Sequence, residues 1–334
     1  MVDRIAARRV VDIITGAWQS QALYAAVALD IPDHIAAGHT TDEKLAAAAG
    51  ASEDGITRLM RLLTAMQVFE GTGEDGYRPT AVSELLREET DQSMKDMVRI
   101  YGEEFHRAWG AVVPAVRSGT SGFTHAFGVS LHTYLRGEAS AGLKFQRAMN
   151  AGNVFFPDVL DAFDFGASGT VVDVAGGSGA LLATVLRAHP DIHGILFDQP
   201  HMVPIARRHL DAAVGPGRYE AVGGDVFQGV PGGADVYLLA RVLQDWDDER
   251  CVQLLSHIRR AMPDGSRLLI LERVIPRDGS AMLPLLWDLH LLMAAGGRER
   301  QLSGYRDVLT AAGLRLESVH PLALETSLLV AAPV

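Results

Sequence analysis

From Val2 to about Gln67 apolar residues recur at helical spacing, as at Leu23, Val27 and Leu29 and again at Leu59, Leu62, Leu63 and Met66. Within that stretch Thr41, Asp42 and Glu43 start a short helix that breaks at Gly50, and Ser52 to Asp54 start a second that runs toward Phe69, a helix-turn-helix pattern. The segment GTGEDGYRPT then sets Gly and Asp between two short extended pieces, which suits a small hairpin or wing. From Ser93 to about Phe165 the period is again helical. Phe105, Trp109, Val112, Val113 and Val116 form one apolar stripe, the loop SGTSGF interrupts it, and a further helix carries Leu143, Phe145 and Met149, followed by Phe155 and Phe156. After Thr170 the pattern changes. Short β-branched or Leu-rich runs at 171–174, 194–197, 236–239 and 268–271 alternate with amphipathic segments such as 250–262, which predicts a parallel sheet covered by helices. Near the end, 314–319 and 327–331 lie close enough in sequence to pair antiparallel.

Composition narrows what such a chain can do. Its 334 residues, 48% hydrophobic and 21% charged, can bury sizeable cores. A net charge of -11 repels phosphate backbones and anionic lipid, and the second helix of the helix-turn-helix carries only Arg58 and Arg61, so a nucleic-acid or membrane role is disfavoured. Cys251, the single cysteine, cannot form an intramolecular disulfide, and MVDRIAARRV lacks the apolar run of a signal peptide. The apolar stretch 283–295 is interrupted by Asp288 and His290 and is shorter than the ~20 residues of a membrane span. A cytoplasmic protein is expected.

Candidate chemistry gathers at strand ends. Asp173-Val174-Ala175-Gly176-Gly177-Ser178-Gly179 closes the first strand of the alternating region and runs into LLATVL, a glycine-rich junction where a cofactor can approach the backbone and the free N–H groups of a helix start. Asp198 ends the second strand at the spacing of a carboxylate that accepts hydrogen bonds from ribose hydroxyls. Asp225 precedes Val226 and Phe227, a combination able to hold an adenine by its amino group and its faces. Singly, Asp198 and Asp225 read equally well as loop caps; their order after successive strands favours a nucleotide-bearing cofactor.

Six segments in order resemble the class I S-adenosylmethionine-dependent O-methyltransferases of the caffeate and acetylserotonin type, a family abundant in bacterial secondary metabolism: DVAGGSG, FDQP at 197–200, GDVF at 224–227, VLQDWDDE at 242–249, LERVIP at 271–276 and GGRER at 296–300. The resemblance spans nearly the whole chain. It implies an α/β fold: a Rossmann-like catalytic domain over 166–334, a helical linker and substrate-pocket region over 93–165, and a mainly helical winged-helix domain over 1–92 that serves dimerisation. It further implies S-adenosylmethionine held by Asp173, Gly176, Gly177, Gly179, Asp198, Gln199, Asp225, Val226, Phe227 and Arg241, with Trp109, Phe145, Met149, Phe155 and Met293 lining the acceptor's pocket. A homodimer acting on a small molecule, without bound metal, is expected.

Two departures stand out. Ala175 occupies the place of the family's first loop glycine, and Gln244 occupies the place of the histidine in the family's HDW, the general base that takes the acceptor's proton. Glutamine can orient a substrate but cannot take up a proton near neutral pH. Asp245 and His290 are alternative proton acceptors, though each reads as well as a loop anchor or a satisfied helix residue. Glu272 and Glu299 match glutamates that flank the family's base, and Arg300 fits a structural ion pair. Gln244, Asp245 and His290 make a poor metal set. The expected activity is therefore methylation of a hydroxylated aromatic or polyketide-like acceptor, driven by proximity and orientation. The alternative is a homologue that keeps the cofactor as an electrostatic element for hydroxylation, decarboxylation or cyclisation. A DNA-binding regulator and a nicotinamide-dependent dehydrogenase are disfavoured.

Overall fold

A computed structural model describes residues 3–90, 92–166 and 168–334, and the chain divides into two compact units, Met1–Gly110 with Ala126–Gly152 and Ala111–His125 with Asn153–Val334. The stretch 93–165 is thus shared out between the units.

In the first unit the long helix Arg4–Ala28 leads to helices Asp42–Ala49 and Glu53–Ala65 and to a hairpin of β1 (Phe69–Thr72) and β2 (Gly76–Pro79). The boundaries follow local chemistry. Thr41 and Ser52 accept the backbone N–H groups of Lys44 and Gly55, and Gly50 ends the first of the two helices in the left-handed conformation. Asp42 ties the wing to the helices by accepting from the Tyr77 hydroxyl at 2.8 Å and the Thr57 hydroxyl at 2.7 Å. Ile31, Leu45, Ile56, Met60, Leu63 and Phe69 form the core, while Lys95, nearly buried, binds Asp30, Asp33 and Glu88.

The second unit is built on β3 (Thr170–Val174), β4 (His193–Asp198), β5 (Tyr219–Gly223), β6 (Val236–Ala240), β7 (Arg267–Ile275), β8 (Arg300–Gln301), β9 (Leu314–Leu322) and β10 (Thr326–Pro333). The strand order is β5-β4-β3-β6-β7-β10-β9, with β8 paired to the end of β7; β3 to β7 run parallel, and β10 is antiparallel to both β7 and β9. Alternate residues serve opposite faces. Val236, Leu238, Leu269 and Leu271 pack with the helix Ala180–Ala188, whereas Tyr237, Leu239, Leu268 and Ile270 pack with helices Asp248–Ala261 and Leu302–Ala311. The chain leaves β3 toward β4 and returns to place β6 on the other side, a topological switch that opens a crevice at the carboxyl ends of the strands. No helix fills the β5–β6 connection, and an open groove of about 470 Å³ lies beside it, lined by Ile195, Phe197, Val222, Asp225 and Val230 among others.

Tyr237 joins these layers, its buried hydroxyl sharing its one proton between the carbonyls of Ala261 at 2.8 Å and Pro231 at 3.1 Å. Tyr237→Phe keeps the ring and removes the hydroxyl, so unfolding in urea is expected at a lower midpoint, with a loss of about 1–3 kcal/mol. An unchanged midpoint would mean that these bonds contribute nothing.

Candidate active site

The glycine loop at the end of β3 is built around a buried carboxyl. Asp173 is 1% exposed, and a Cβ on Gly176 would stand 2.6 Å from its carboxyl carbon, so that position has room only for glycine. Ala175, Gly177 and Gly179 all have positive φ, at 55°, 59° and 79°. For alanine this conformation costs about 1–2 kcal/mol, strain that a glycine would not carry. Burial pushes the Asp173 carboxyl up to about 7, with the nearby Asp198 charge adding to the rise and a backbone hydrogen bond from Leu182 opposing it. Asp173 Oδ2 has no hydrogen-bond partner among the described residues.

Asp198, at the end of β4, accepts the Gly177 N–H at 2.7 Å through Oδ2 and the Gln199 N–H at 2.6 Å through Oδ1. It therefore braces the loop, and an ionised carboxylate, with about four acceptor positions, retains capacity for further donors. Asp225 is exposed and closes its own turn by accepting from the Phe227 N–H at 2.9 Å. Phe227 stands edge-on to Trp246 at 4.9 Å between centroids, and the Arg250 guanidinium lies 4.0 Å from the Phe227 ring centre. Val226 and Phe227 also pack against the core. Of the expected cofactor residues, Asp225 alone lines the open groove beside β5.

Beyond β6 the chain turns sharply. Arg241 has φ of 57°, and Leu243–Asp245 form one 3₁₀ turn. Glu272, on β7 and fully buried, accepts the Leu243 N–H at 2.8 Å and the Gln244 N–H at 3.4 Å, both through Oε1. From the other side Arg300 donates to the carbonyls of Leu243 at 2.8 Å and Trp246 at 2.7 Å and pairs with Asp248 at 2.8 Å. The Gln244 carbonyl accepts the Arg298 N–H at 2.8 Å and lies against Gly297, where a side chain would collide with it. At the Gln244 side chain, Oε1 faces Arg241 Nε at 3.4 Å, and the amide hydrogen-bonds Asp245.

Of the remaining acids Glu272 and Glu299 are buried and Asp245 is half-buried. Burial raises Glu272 first, and the Glu299 charge raises it further, against a pull from Arg241; burial likewise raises Glu299, opposed by Arg273 and Arg241. Burial pushes Asp245 up to about 6, with Arg241 and the Gln244 hydrogen bond drawing it down. His290, stacked edge-on to Trp287 at 5.3 Å, falls to about 4 through burial and the Arg241 charge. Gln244, Asp245, Glu272, Glu299, His290 and Arg241 thus belong to one unit and, by these mutual effects, to one polar cluster.

The residues expected to line the acceptor pocket are divided between the two units. Trp109, Phe145 and Met149 lie half-buried in the first unit, and Met293 is fully buried on the helix Met282–Ala294. Phe155 corrects its expectation: it is fully buried in the sheet's core beside Phe165, Val171 and Leu181, so its ring serves packing. Sequence reasoning passed over Arg273, which is buried, lies over Trp287 at 4.6 Å and tempers Glu299, and Asp288, which accepts the Glu299 N–H at 2.8 Å. The only prior signal for Arg273 was its place inside LERVIP.

Two families match this chain: an O-methyltransferase dimerisation domain over residues 11–89 and an O-methyltransferase domain over residues 109–315. The chain belongs to the O-methyltransferase family. It is 42% identical over 334 residues to 3-amino-4-hydroxybenzoate 4-O-methyltransferase of Streptomyces cremeus, covering 98% of this chain and 90% of that protein. It is 40% identical to phenazine-1-carboxylate N-methyltransferase of Pseudomonas aeruginosa, covering 98% and 97%. Human N-acetylserotonin methyltransferase, solved with S-adenosylmethionine, superposes with a TM-score of 0.89 at 29% identity, covering 98% and 97%. S-adenosylmethionine is the methyl donor of this family, and the donor set of the loop suits it, because the orphaned Asp173 oxygen and the spare acceptor capacity of Asp198 await hydrogen-bond donors.

Asp173 links this site to stability. Its folded value near 7 lies above the ordinary carboxylate value of 3.8, so between about pH 4 and 7 the unfolded chain gives up a proton that the folded enzyme keeps. Stability from this group is full below that window and is lost as pH rises through it. Asp173→Asn is expected to raise Tm at pH 8, leave it nearly unchanged at pH 4, and weaken S-adenosylmethionine binding. Calorimetric scans at the two pH values with a cofactor titration check this, and an equal Tm change at both would refute the linkage.

Proposed function

We propose that the enzyme methylates a hydroxyl group of an aromatic or polyketide-like small molecule, and that positioning of the acceptor carries most of the acceleration. The supporting observation is the 243–246 turn, clamped by Glu272 and Arg300, which presents a glutamine where the family's base would stand. When bound, S-adenosylmethionine supplies a methyl group on a positively charged sulfur. Asp173, Gly177 and Gly179 hold its amino-acid end, Asp198 its ribose and Asp225 to Phe227 its adenine. Gln244, fixed between Arg241 and Asp245, can exchange hydrogen bonds with an acceptor but cannot take its proton. Two relatives at 40% identity or more are named for aromatic acids, one methylated at oxygen and one at nitrogen, so 3-amino-4-hydroxybenzoate and phenazine-1-carboxylate head the acceptor panel.

Incubation with methyl-labelled S-adenosylmethionine and a panel of phenols, hydroxyquinones and aromatic acids is expected to yield O-methylated product, and Gln244→Ala should retain a substantial share of wild-type turnover. Altered but unmethylated products would favour the non-methylating reading instead. Abolished turnover with acceptor binding intact would show that glutamine makes an interaction essential to the transition state.

The same reading includes a homodimer. The helix Arg4–Ala28 exposes Ile5, Val10, Ile13, Ile14 and Trp18, with Ile13 67% and Trp18 64% accessible, a continuous apolar face inside a sequence that matches a dimerisation domain. Light scattering at micromolar concentration is expected to give twice the chain mass, and Ile13→Asp with Trp18→Asp should halve it. A monomeric wild type would overturn the assignment.

A further inference from the structure

The proton lost by the acceptor hydroxyl needs a destination, and Gln244 is not one. We propose that Glu299, paired with Glu272, is the group that takes this proton. The inference rests on the methyl-transfer reading above and adds a catalytic residue to it.

The geometry separates Glu299 from its rivals. Glu299 is 4% exposed and Glu272 0%, and three carboxyl oxygens, Oε2 of Glu272 with Oε1 and Oε2 of Glu299, have no hydrogen-bond partner among the described residues. A buried carboxylate left without donors is costly, so these oxygens either hold a proton or meet a donor brought by a ligand. Glu272 is committed to structure, because its Oε1 already accepts the Leu243 and Gln244 N–H groups. Glu299 is held only through its main chain, whose N–H donates to Asp288, so both of its side-chain oxygens remain for an incoming hydroxyl. Asp245 is engaged by the Gln244 amide and the Arg241 charge, and His290, pressed down to about 4, is a weak base.

The charges around the pair make the assignment specific. Beside Glu272 on β7 stands Arg273; the turn after β6 contributes Arg241 and Asp245; the helix Met282–Ala294 contributes Asp288 and His290; Tyr305 and Cys251 face the pair from their own helices, with Arg300 beyond them. Arg273 and Arg241 favour the charged form of Glu299, while the charge of Glu299 disfavours that of Glu272. A single negative charge on the two carboxyls removes their mutual repulsion, and Arg273, which acts on Glu299, draws that charge to Glu299. Both acids are raised above the ordinary carboxylate range, which brings a carboxylate base nearer the operating pH. The step balances. The acceptor's O–H bond breaks and its proton goes to a Glu299 oxygen, a new O–CH3 bond forms, and the electron pair of the broken S–CH3 bond stays on sulfur, so one positive and one negative charge disappear together.

Three measurements test the proposal. Across phenols of graded acidity, the acid limb of the wild-type kcat profile is expected at one constant pH; a limb that follows each phenol's own ionisation would overturn it. Glu299→Gln is expected to lower kcat on unactivated phenols by about 10²- to 10⁴-fold with KM nearly unchanged, Glu299→Asp to restore part of the loss, and strongly acidic phenols to lose little. Wild-type kcat in a folded Glu299→Gln variant would exclude the role. Infrared spectra of the protein alone, without cofactor and with Asp173→Asn to remove the other strongly raised carboxyl, should show a protonated-carboxyl band persisting at neutral pH that Glu272→Gln removes. Its absence from the Asp173→Asn protein would dismiss the shared proton even if the Glu299 variants fail to fold. A normal carboxyl band with no methylated product from any acceptor would instead defeat the methyl-transfer reading, and the proton role with it.

Discussion

The turn from Leu243 to Trp246 is gripped between a buried carboxyl and a buried guanidinium, and the site's geometry depends on that grip. Glu272 takes the N–H groups at its start, and Arg300 takes the carbonyls of Leu243 and Trp246 while pairing with Asp248. The two side chains reach the same peptide groups from opposite sides, Glu272 through one oxygen only. A buried polar group stripped of such partners is costly, the Arg300 cation most of all, so the turn and the two side chains stabilise each other. This makes the backbone at Gln244 rigid whatever side chain it carries, and it explains how the catalytic position of a family can change identity without the loop losing its shape.

The same economy of charge runs through the rest of the cluster. Arg241 and Arg273 face Glu272, Glu299 and Asp245, and Arg241 and Arg273 both lie over Trp287, at 5.2 Å and 4.6 Å. An aromatic face attracts these cations without neutralising them, so their charge still acts on the carboxyls. Backbone strain is found here too. Ala175 and Arg241 are non-glycine residues with positive φ, and each directly follows a strand that carries site residues. The strain sits where the chain must leave the sheet abruptly to open the crevice.

Much of this architecture could be read from residue order because parallel strands buried on both faces produce short continuous apolar runs. Those of β3, β4, β6 and β7 announced themselves in that way. β5 did not, since YEAVG lies at the sheet's edge with half-exposed residues and lacks the run that two-sided burial enforces. β8 is two residues long and exists only as a partner for β7. Asp173, Asp198 and Asp225 could be picked out as candidates because they follow strands, at whose ends ligands bind, whereas the influence of Arg273 on Glu299 arises from register across β7 and β8 and leaves no local trace. Phe155 shows the limit from the other side. An aromatic residue at helical spacing looks the same whether it lines a pocket or a core, and only its packing on Phe165 and Val171 decides.

Gln244 and Arg241 are best understood together. Arg241 Nε lies 3.4 Å from Gln244 Oε1, and the same guanidinium, added to burial, helps hold His290 near 4. An imidazole at position 244 would meet the same arginine at closer range, in a nearly buried site, and both effects would oppose its protonated form. A histidine there would be a poor proton acceptor beside Arg241. Glutamine, by contrast, satisfies the arginine with its carbonyl and Asp245 with its amide, and needs no change of charge to do so. Gln244 and Arg241 are therefore one electrostatic arrangement, in which the glutamine takes up no proton and the raised carboxyls Glu272 and Glu299 stand behind it.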